Sequence, residues 1–405
     1  MKVFTNIKQL IGVATPQNEF AILENAFLII EKNKIVTFGT MQQWQIHHKI
    51  FNGEVVDVSH KSILPTWVDS HTHLVFAADR ADEFVQKIEG KTYAEIAASG
   101  GGILNSAKKI ATISFDALYQ KSVQKLKAVI ALGTGAIEIK SGYGLTLAGE
   151  LKMLQVIKKL KENFSINIKS TFLGAHALPL NFANNKAGYI AHIINDMLPI
   201  IAKQNLADYI DVFCEAGFFT NADTIKIAEA GKKYGMPLKL HANQLSNSGA
   251  VQTAILHGAV SVDHLEQIDA ATIIALKNSN TIPVALPAAA MFLQLPYPPA
   301  KAMLQAGLPL AIATDYNPGS APSGNMHYSV CLACIGMRIM PLDAIKAATL
   351  NGAKALQLQP ILGNIAVGKL ANFIITKKGY TCNSIPYKYG TNFIDTVIIN
   401  GTAIK

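Results

Sequence analysis

Apolar residues in this chain follow two alternating patterns between about residue 61 and residue 350. Short apolar runs of strand length alternate with longer stretches in which apolar positions recur every three or four residues. Residues 150–162 (Glu-Leu-Lys-Met-Leu-Gln-Val-Ile-Lys-Lys-Leu-Lys-Glu) show the second kind, with Leu151, Leu154, Val156, Ile157 and Leu160 on one helical face. The first kind gives eight strand candidates: 62–70, 134–140, 166–175, 208–214, 237–243, 258–264, 281–287 and 308–314. Eight strands separated by helical patterns predict a (β/α)8, TIM-like barrel over residues 61–359. The two ends differ: Ala26–Ile30, Lys34–Gly39, Gly363–Ile375 and Phe393–Gly401 are strand-like runs punctuated by polar turns. They predict a composite β-sandwich domain built from residues 1–60 and 360–405, which makes the fold class α/β.

A chain of 405 residues buries about three quarters of its unfolded surface and needs no disulfide to be stable. Its four cysteines (Cys214, Cys331, Cys334, Cys382) lie among apolar neighbours, which suits a reducing cytoplasm. Cys331-x-x-Cys334 has no second pair or neighbouring histidine to complete a site, and is expected to be packing. Asn6, Lys8 and Gln9 interrupt the apolar N-terminus, so no export signal is expected. The uncharged stretch 280–300 approaches bilayer-spanning length, but Pro283, Pro287, Pro296, Pro298 and Pro299 would break such a helix. It is expected to be a buried strand followed by a loop, with no membrane partner. The net charge of +9 comes from scattered lysines without an aromatic-interleaved basic block, which argues against nucleic acid. A positive field of this kind would help to draw in a small anionic substrate.

The candidate chemistry lies at the strand ends. His71 and His73 stand at i and i+2 after the first candidate, so both imidazoles point to one side of an extended chain. The fifth candidate ends on His241, the sixth on His264 and the eighth on Asp315. In a (β/α)8 barrel functional side chains gather at that rim. Three imidazoles and one carboxylate suit a single zinc or ferrous ion with a position open to water. Such an ion supplies hydroxide near neutral pH and points to attack on a carbon–nitrogen bond.

With these residues in place, the chain resembles the amidohydrolase superfamily and, within it, the imidazolonepropionases over nearly its whole length. The carrying motifs are His71-Thr72-His73-Leu74-Val75-Phe76-Ala77-Ala78-Asp79-Arg80, Gly100-Gly101-Gly102-Ile103-Leu104, Glu138-Ile139-Lys140-Ser141-Gly142-Tyr143-Gly144-Leu145, Phe172-Leu173-Gly174-Ala175-His176 and Thr314-Asp315-Tyr316-Asn317-Pro318-Gly319-Ser320. The resemblance implies hydrolytic ring opening of 4-imidazolone-5-propanoate to N-formimidoyl-L-glutamate, a step of histidine degradation. It implies one divalent metal, zinc or iron, on His71, His73, His241 and Asp315. It also places Arg80, Tyr143, His176, Gln244 and Ser320 around the substrate, with Asn317 and Gly319 touching the product, and it suggests a homodimer. A guanidinium at Arg80 suits the propanoate. His176 would donate to the forming oxyanion, and His264 and Asp315 would handle protons.

One departure stands out. Many members carry glutamate three residues after the fifth-strand histidine, whereas this chain has Gln244, which binds a ring nitrogen or amidine but exchanges no proton. The rival readings are a mononuclear deaminase or hydrolase of another small heterocycle and a non-catalytic scaffold. A lysine-bridged pair of metals is disfavoured, although Lys140 lies near the end of the second strand.

Overall fold

The computed structural model describes residues 1–91, 95 and 100–404. Five strands open the chain: β1 (Lys2–Val13), β2 (Ala21–Glu31), β3 (Lys34–Thr40), β4 (Glu54–Asp57) and β5 (Ile63–Pro65). Eight more follow, β6 (Trp67–Asp69), β7 (Thr134–Lys140), β8 (Asn167–Ala175), β9 (Tyr209–Cys214), β10 (Leu238–Ala242), β11 (Ser261–His264), β12 (Ile282–Ala285) and β13 (Ala311–Ile312). The last three are β14 (Phe373–Thr376), β15 (Ile394–Ile399) and β16 (Thr402–Ile404).

The strands of the two chain ends form one hydrogen-bonded sheet in the order β16-β15-β14-β5-β1-β2-β3, with β4 on β1. Its core is made by alternate residues of the strands, among them Leu10, Leu28, Ile30, Ile63, Phe373 and Ile398. Phe4 meets Phe373 edge to face at 5.2 Å and so ties the N-terminal half to the C-terminal half. β5 pairs with both halves, on β1 and on β14.

The expected first barrel strand, 62–70, is two strands. Thr66 N donates to Asn372 O of the end sheet, and the next amide, Trp67 N, donates to Gly133 O of the barrel. The chain therefore changes sheets between consecutive residues. Gly135 permits the crossing, because a Cβ there would lie 2.1 Å from Thr66 Oγ1.

β6 to β13 run in sequence order as a parallel sheet, each strand beside the next. The ends of this sheet meet along a seam of hydrogen bonds: Thr314 N to Asp69 Oδ1, Asp315 N to His71 O, and His73 N to Tyr316 O. That seam closes the barrel. Its outer helices carry the expected apolar stripes; Leu147–Asn163, capped by Thr146, buries Met153, Leu154, Val156, Ile157 and Leu160.

Two local expectations are corrected. After β12 the chain forms the helix Pro287–Leu293 instead of a loop; proline at the first turn lacks only an N–H that would have had no partner. A histidine does stand beside the cysteine pair, since His327 Nε2 lies 3.5 Å from Cys331 Sγ, one helical turn away. That nitrogen is nonetheless 2.7 Å from Ile385 O, and all four cysteines are free thiols. Among the described residues no helix is long and apolar enough to cross a membrane.

Trp67 is fully buried at the crossing between the sheets and packs edge-on against Phe393 at 6.1 Å. Trp67→Ala is expected to cost about 3–5 kcal/mol, read as a lowered denaturant midpoint. A midpoint unchanged from the parent would show that the crossing is held by backbone bonds alone.

Candidate active site

The carboxyl ends of the barrel strands place the candidate residues because the backbone turns sharply there. Asn243 (φ +56°), His264 (φ +92°), Leu265 (φ +71°) and Asp315 (φ +56°) are all left-handed, a conformation that costs non-glycine residues energy and gathers at functional sites. Beneath the rim, His71, His73 and His241 are buried and offer ligand atoms that all lie within 4.8 Å of one another. Asp315 Oδ1 stands 3.5 Å from His71 Nε2 and 3.7 Å from His73 Nε2.

The donor set fits a divalent cation. His71 Nε2 and His241 Nε2 are buried without a hydrogen-bond partner, an arrangement that is costly unless something else occupies the lone pairs. His71 Nδ1 donates to Asp263 Oδ2 at 2.7 Å, which leaves Nε2 as the free acceptor. His241 Nδ1 lies 2.9 Å from Asp211 Oδ2, at an angle short of a formed hydrogen bond. Burial, with Lys140 and the neighbouring imidazoles, holds His71 well below the ordinary histidine value, and burial with His176 and His241 does the same for His73. Neutral imidazoles are the form that binds metal. Burial raises the Asp315 carboxyl, against the pull of His264 and His241.

Above this cluster is a cavity of about 260 Å³, whose lining includes Arg80, Tyr143, His176, His264, Gln244 and Ser320. His73, His241, Asp315, Asn317 and Gly319 also face it, whereas His71 lies fully buried below. All the expected site residues therefore meet in one place.

Several of them are held by neighbours. Arg80 packs so tightly on Gly319 that a Cβ there would fall 1.6 Å from a guanidinium nitrogen, and Glu83 Oε2 stands 3.6 Å from Arg80 Nη1. Tyr143, 2% exposed, is flanked by Gly142, where a Cβ would lie 2.9 Å from His176 Nδ1, and by Gly144, where it would lie 2.2 Å from Glu150 N. His176 stacks on His73 at 5.1 Å and 14°. Its Nδ1 is 2.9 Å from Gly142 O, which can only accept, so Nδ1 carries the proton. Burial, together with the His241 ring, pushes His176 down to about 3. Its other nitrogen is then an acceptor, not the oxyanion donor expected from the sequence. Asn317 donates to Asp315 O and Ser320 Oγ, and accepts from Gly319 N and Ser320 N, so its amide builds the loop. Ser320 Oγ in turn lies 3.3 Å from Asp315 Oδ2.

Supporting acids were missed in the sequence, among them Glu83, Glu150, Asp211 and Asp263. Glu150 is fully buried and accepts from Gly142 N, Gly144 N and Leu145 N, which fixes the turn carrying Tyr143. Glu83 accepts from Gly102 N and Asn105 Nδ2 beside Arg80. Asp211 and Asp263 stand in strands whose every residue is buried, and a charge inside a buried strand must be paired. That was the available signal.

Comparison with known proteins gives the same picture. The amidohydrolase family matches residues 62–404. An imidazolonepropionase of Flavobacterium johnsoniae is 52% identical over 95% of this chain and 93% of its own length. One from Christiangramia forsetii is 49% identical over 99% of both chains. The fold is shared with a zinc-bound adenosine deaminase of Xanthomonas campestris, at a TM-score of 0.71, 16% identity, and coverage of 99% of this chain and 92% of that one. With matches of this extent, the chain belongs to the amidohydrolase family and, within it, to the imidazolonepropionases.

Proposed function

We propose that the chain opens the ring of 4-imidazolone-5-propanoate hydrolytically to N-formimidoyl-L-glutamate, with one zinc or iron ion on His71, His73, His241 and Asp315. The observation that carries this reading is the convergence of three buried imidazoles and a carboxylate under a cavity that also holds a recessed arginine. When bound, such an ion lowers the pKa of water toward about 7, which supplies hydroxide near neutral pH. Arg80 holds the propanoate through charge-assisted hydrogen bonds, with Glu83 keeping its guanidinium in place. Gln244 binds a ring nitrogen or the emerging amidine through its carboxamide, and Ser320 keeps Asp315 aimed inward. Asp315 accepts the proton of the attacking water. His264, with Nδ1 facing Glu266 Oε1 at 3.5 Å, offers its other ring nitrogen to pass that proton to the departing ring nitrogen. His176, neutral with Nδ1 bound to Gly142 O, orients the His73 ring by stacking and accepts from a substrate N–H.

Ring opening of freshly generated 4-imidazolone-5-propanoate, followed with and without chelator alongside metal content, tests the reading. Chelator-sensitive turnover with about one metal per chain is expected; full metal with no turnover would sink the assignment of substrate. Asp315→Ala is expected to lose both retained metal and activity, and retention of either at the parent level would remove Asp315 from the ligand set. Arg80→Ala is expected to raise KM by about 10- to 100-fold with a much smaller change in kcat. Gly319→Ala should move KM in the same direction by displacing the guanidinium, and an unchanged KM in both variants would place the propanoate elsewhere.

A further inference from the structure

Below the imidazoles lies a fully buried layer of charge that does not line the cavity. Glu138, Lys140, Asp211, Lys239 and Asp263 are all 0% exposed. Lys140 Nζ lies 2.9 Å from Glu138 Oε1, 2.8 Å from Asp211 Oδ2 and 3.6 Å from Asp263 Oδ2. Lys239 Nζ is 3.0 Å from Glu138 Oε2 and donates to Ser70 O, the residue before His71. Asp211 Oδ2 and Asp263 Oδ2 are thus shared, each facing Lys140 on one side and a histidine Nδ1 on the other.

We propose, resting on the metal assignment above, that Lys140 is a positioning residue: one ammonium fixes the two carboxylates that orient His71 and His241. The chain of contacts is short and contiguous on both limbs. On one limb Asp263 also accepts from Ser261 Oγ at 2.6 Å, and on the other Asp211 Oδ1 accepts from His241 N at 3.2 Å. Each carboxylate therefore has one oxygen pinned locally and the other set between Lys140 and an imidazole. A compact ammonium with three donors suits a junction of three carboxylates, where a guanidinium is too large. His71, Glu138 and Asp263 also lie close enough to form a second cation cluster, but Lys140 stands against two of its carboxylates. The lysine thereby supplies the positive charge that a second metal would bring, and it is engaged as an ammonium.

The test is zinc affinity of the full chain, stripped and titrated with zinc against a chromophoric chelator, together with kcat and KM. Lys140→Met and Lys140→Gln are expected to bind zinc about 10- to 100-fold more weakly, with kcat reduced and KM near that of the parent once zinc is saturating. A generally damaged fold would lower the active fraction without altering the affinity of the folded molecules. Zinc affinity within about twofold of the parent in both variants overturns the proposal. His71→Ala separates the two layers: if it too keeps the parent affinity, the ligand assignment itself has failed, whereas loss there with no change at Lys140 refutes only the positioning role. Should both Lys140 variants fail to fold, Asp211→Asn, Asp263→Asn and their double variant carry the test. Carboxylates sharing one ammonium should give affinity losses that do not multiply, and a double loss equal to the product of the single ones would refute the shared junction.

Discussion

Closure of the barrel between its first and last strands is the constraint on which the rest depends. β6 has three residues and β13 two, too little for a ladder between them, so the seam relies on Asp69 with Thr314, His71 O with Asp315 N, and His73 N with Tyr316 O. Those bonds set His71 and His73 opposite Asp315. The same contacts that complete the hydrogen bonding of the sheet bring the proposed ligand set together, so a shift of the seam by one residue would turn those side chains away from one another.

The layer beneath the rim runs against the usual composition of a core. Three carboxylates and two ammonium groups share a region closed to outside solvent, and apolar side chains of similar volume would commonly be as stable or more so. The layer has a use where it stands. Burial opposes ionisation of Asp211, but His241 and Lys140 beside it hold its carboxyl well below the usual range. A fixed anion on the far side of an imidazole sets its tautomer and ring orientation. Glu150 does similar work one level higher, where three backbone amides converge on it and hold the turn that presents Tyr143.

Much of this architecture is legible in the sequence because parallel barrel strands are buried on both faces and form continuous apolar runs. The candidate 134–140 coincides with β7. The final candidate, 308–314, shrinks to two paired residues, since hydrogen bonding beyond them passes to the seam. The crossing at Thr66 is not legible, because it depends on the missing side chain of Gly135, far along the chain. Residues at strand ends, such as His241 and Asp315, announce themselves by following an apolar run. The partners that hold them do not: Glu83 and Glu150 sit in the first turns of ordinary amphipathic helices, and only long-range contact reveals what they grip. His176 likewise looks like a donor until Gly142 O fixes which nitrogen bears the proton.

The proposed ligands run from residue 71 at one end of the barrel segment to residue 315 at the other. A cation bound there joins the first, fifth and eighth strands at once, and no such arrangement exists in the unfolded chain. Its binding free energy therefore adds to the free energy of folding, growing with the logarithm of free metal above the dissociation constant. On the proposed ligand assignment, the supply of metal during synthesis and turnover would set resistance to unfolding and proteolysis as well as catalytic competence.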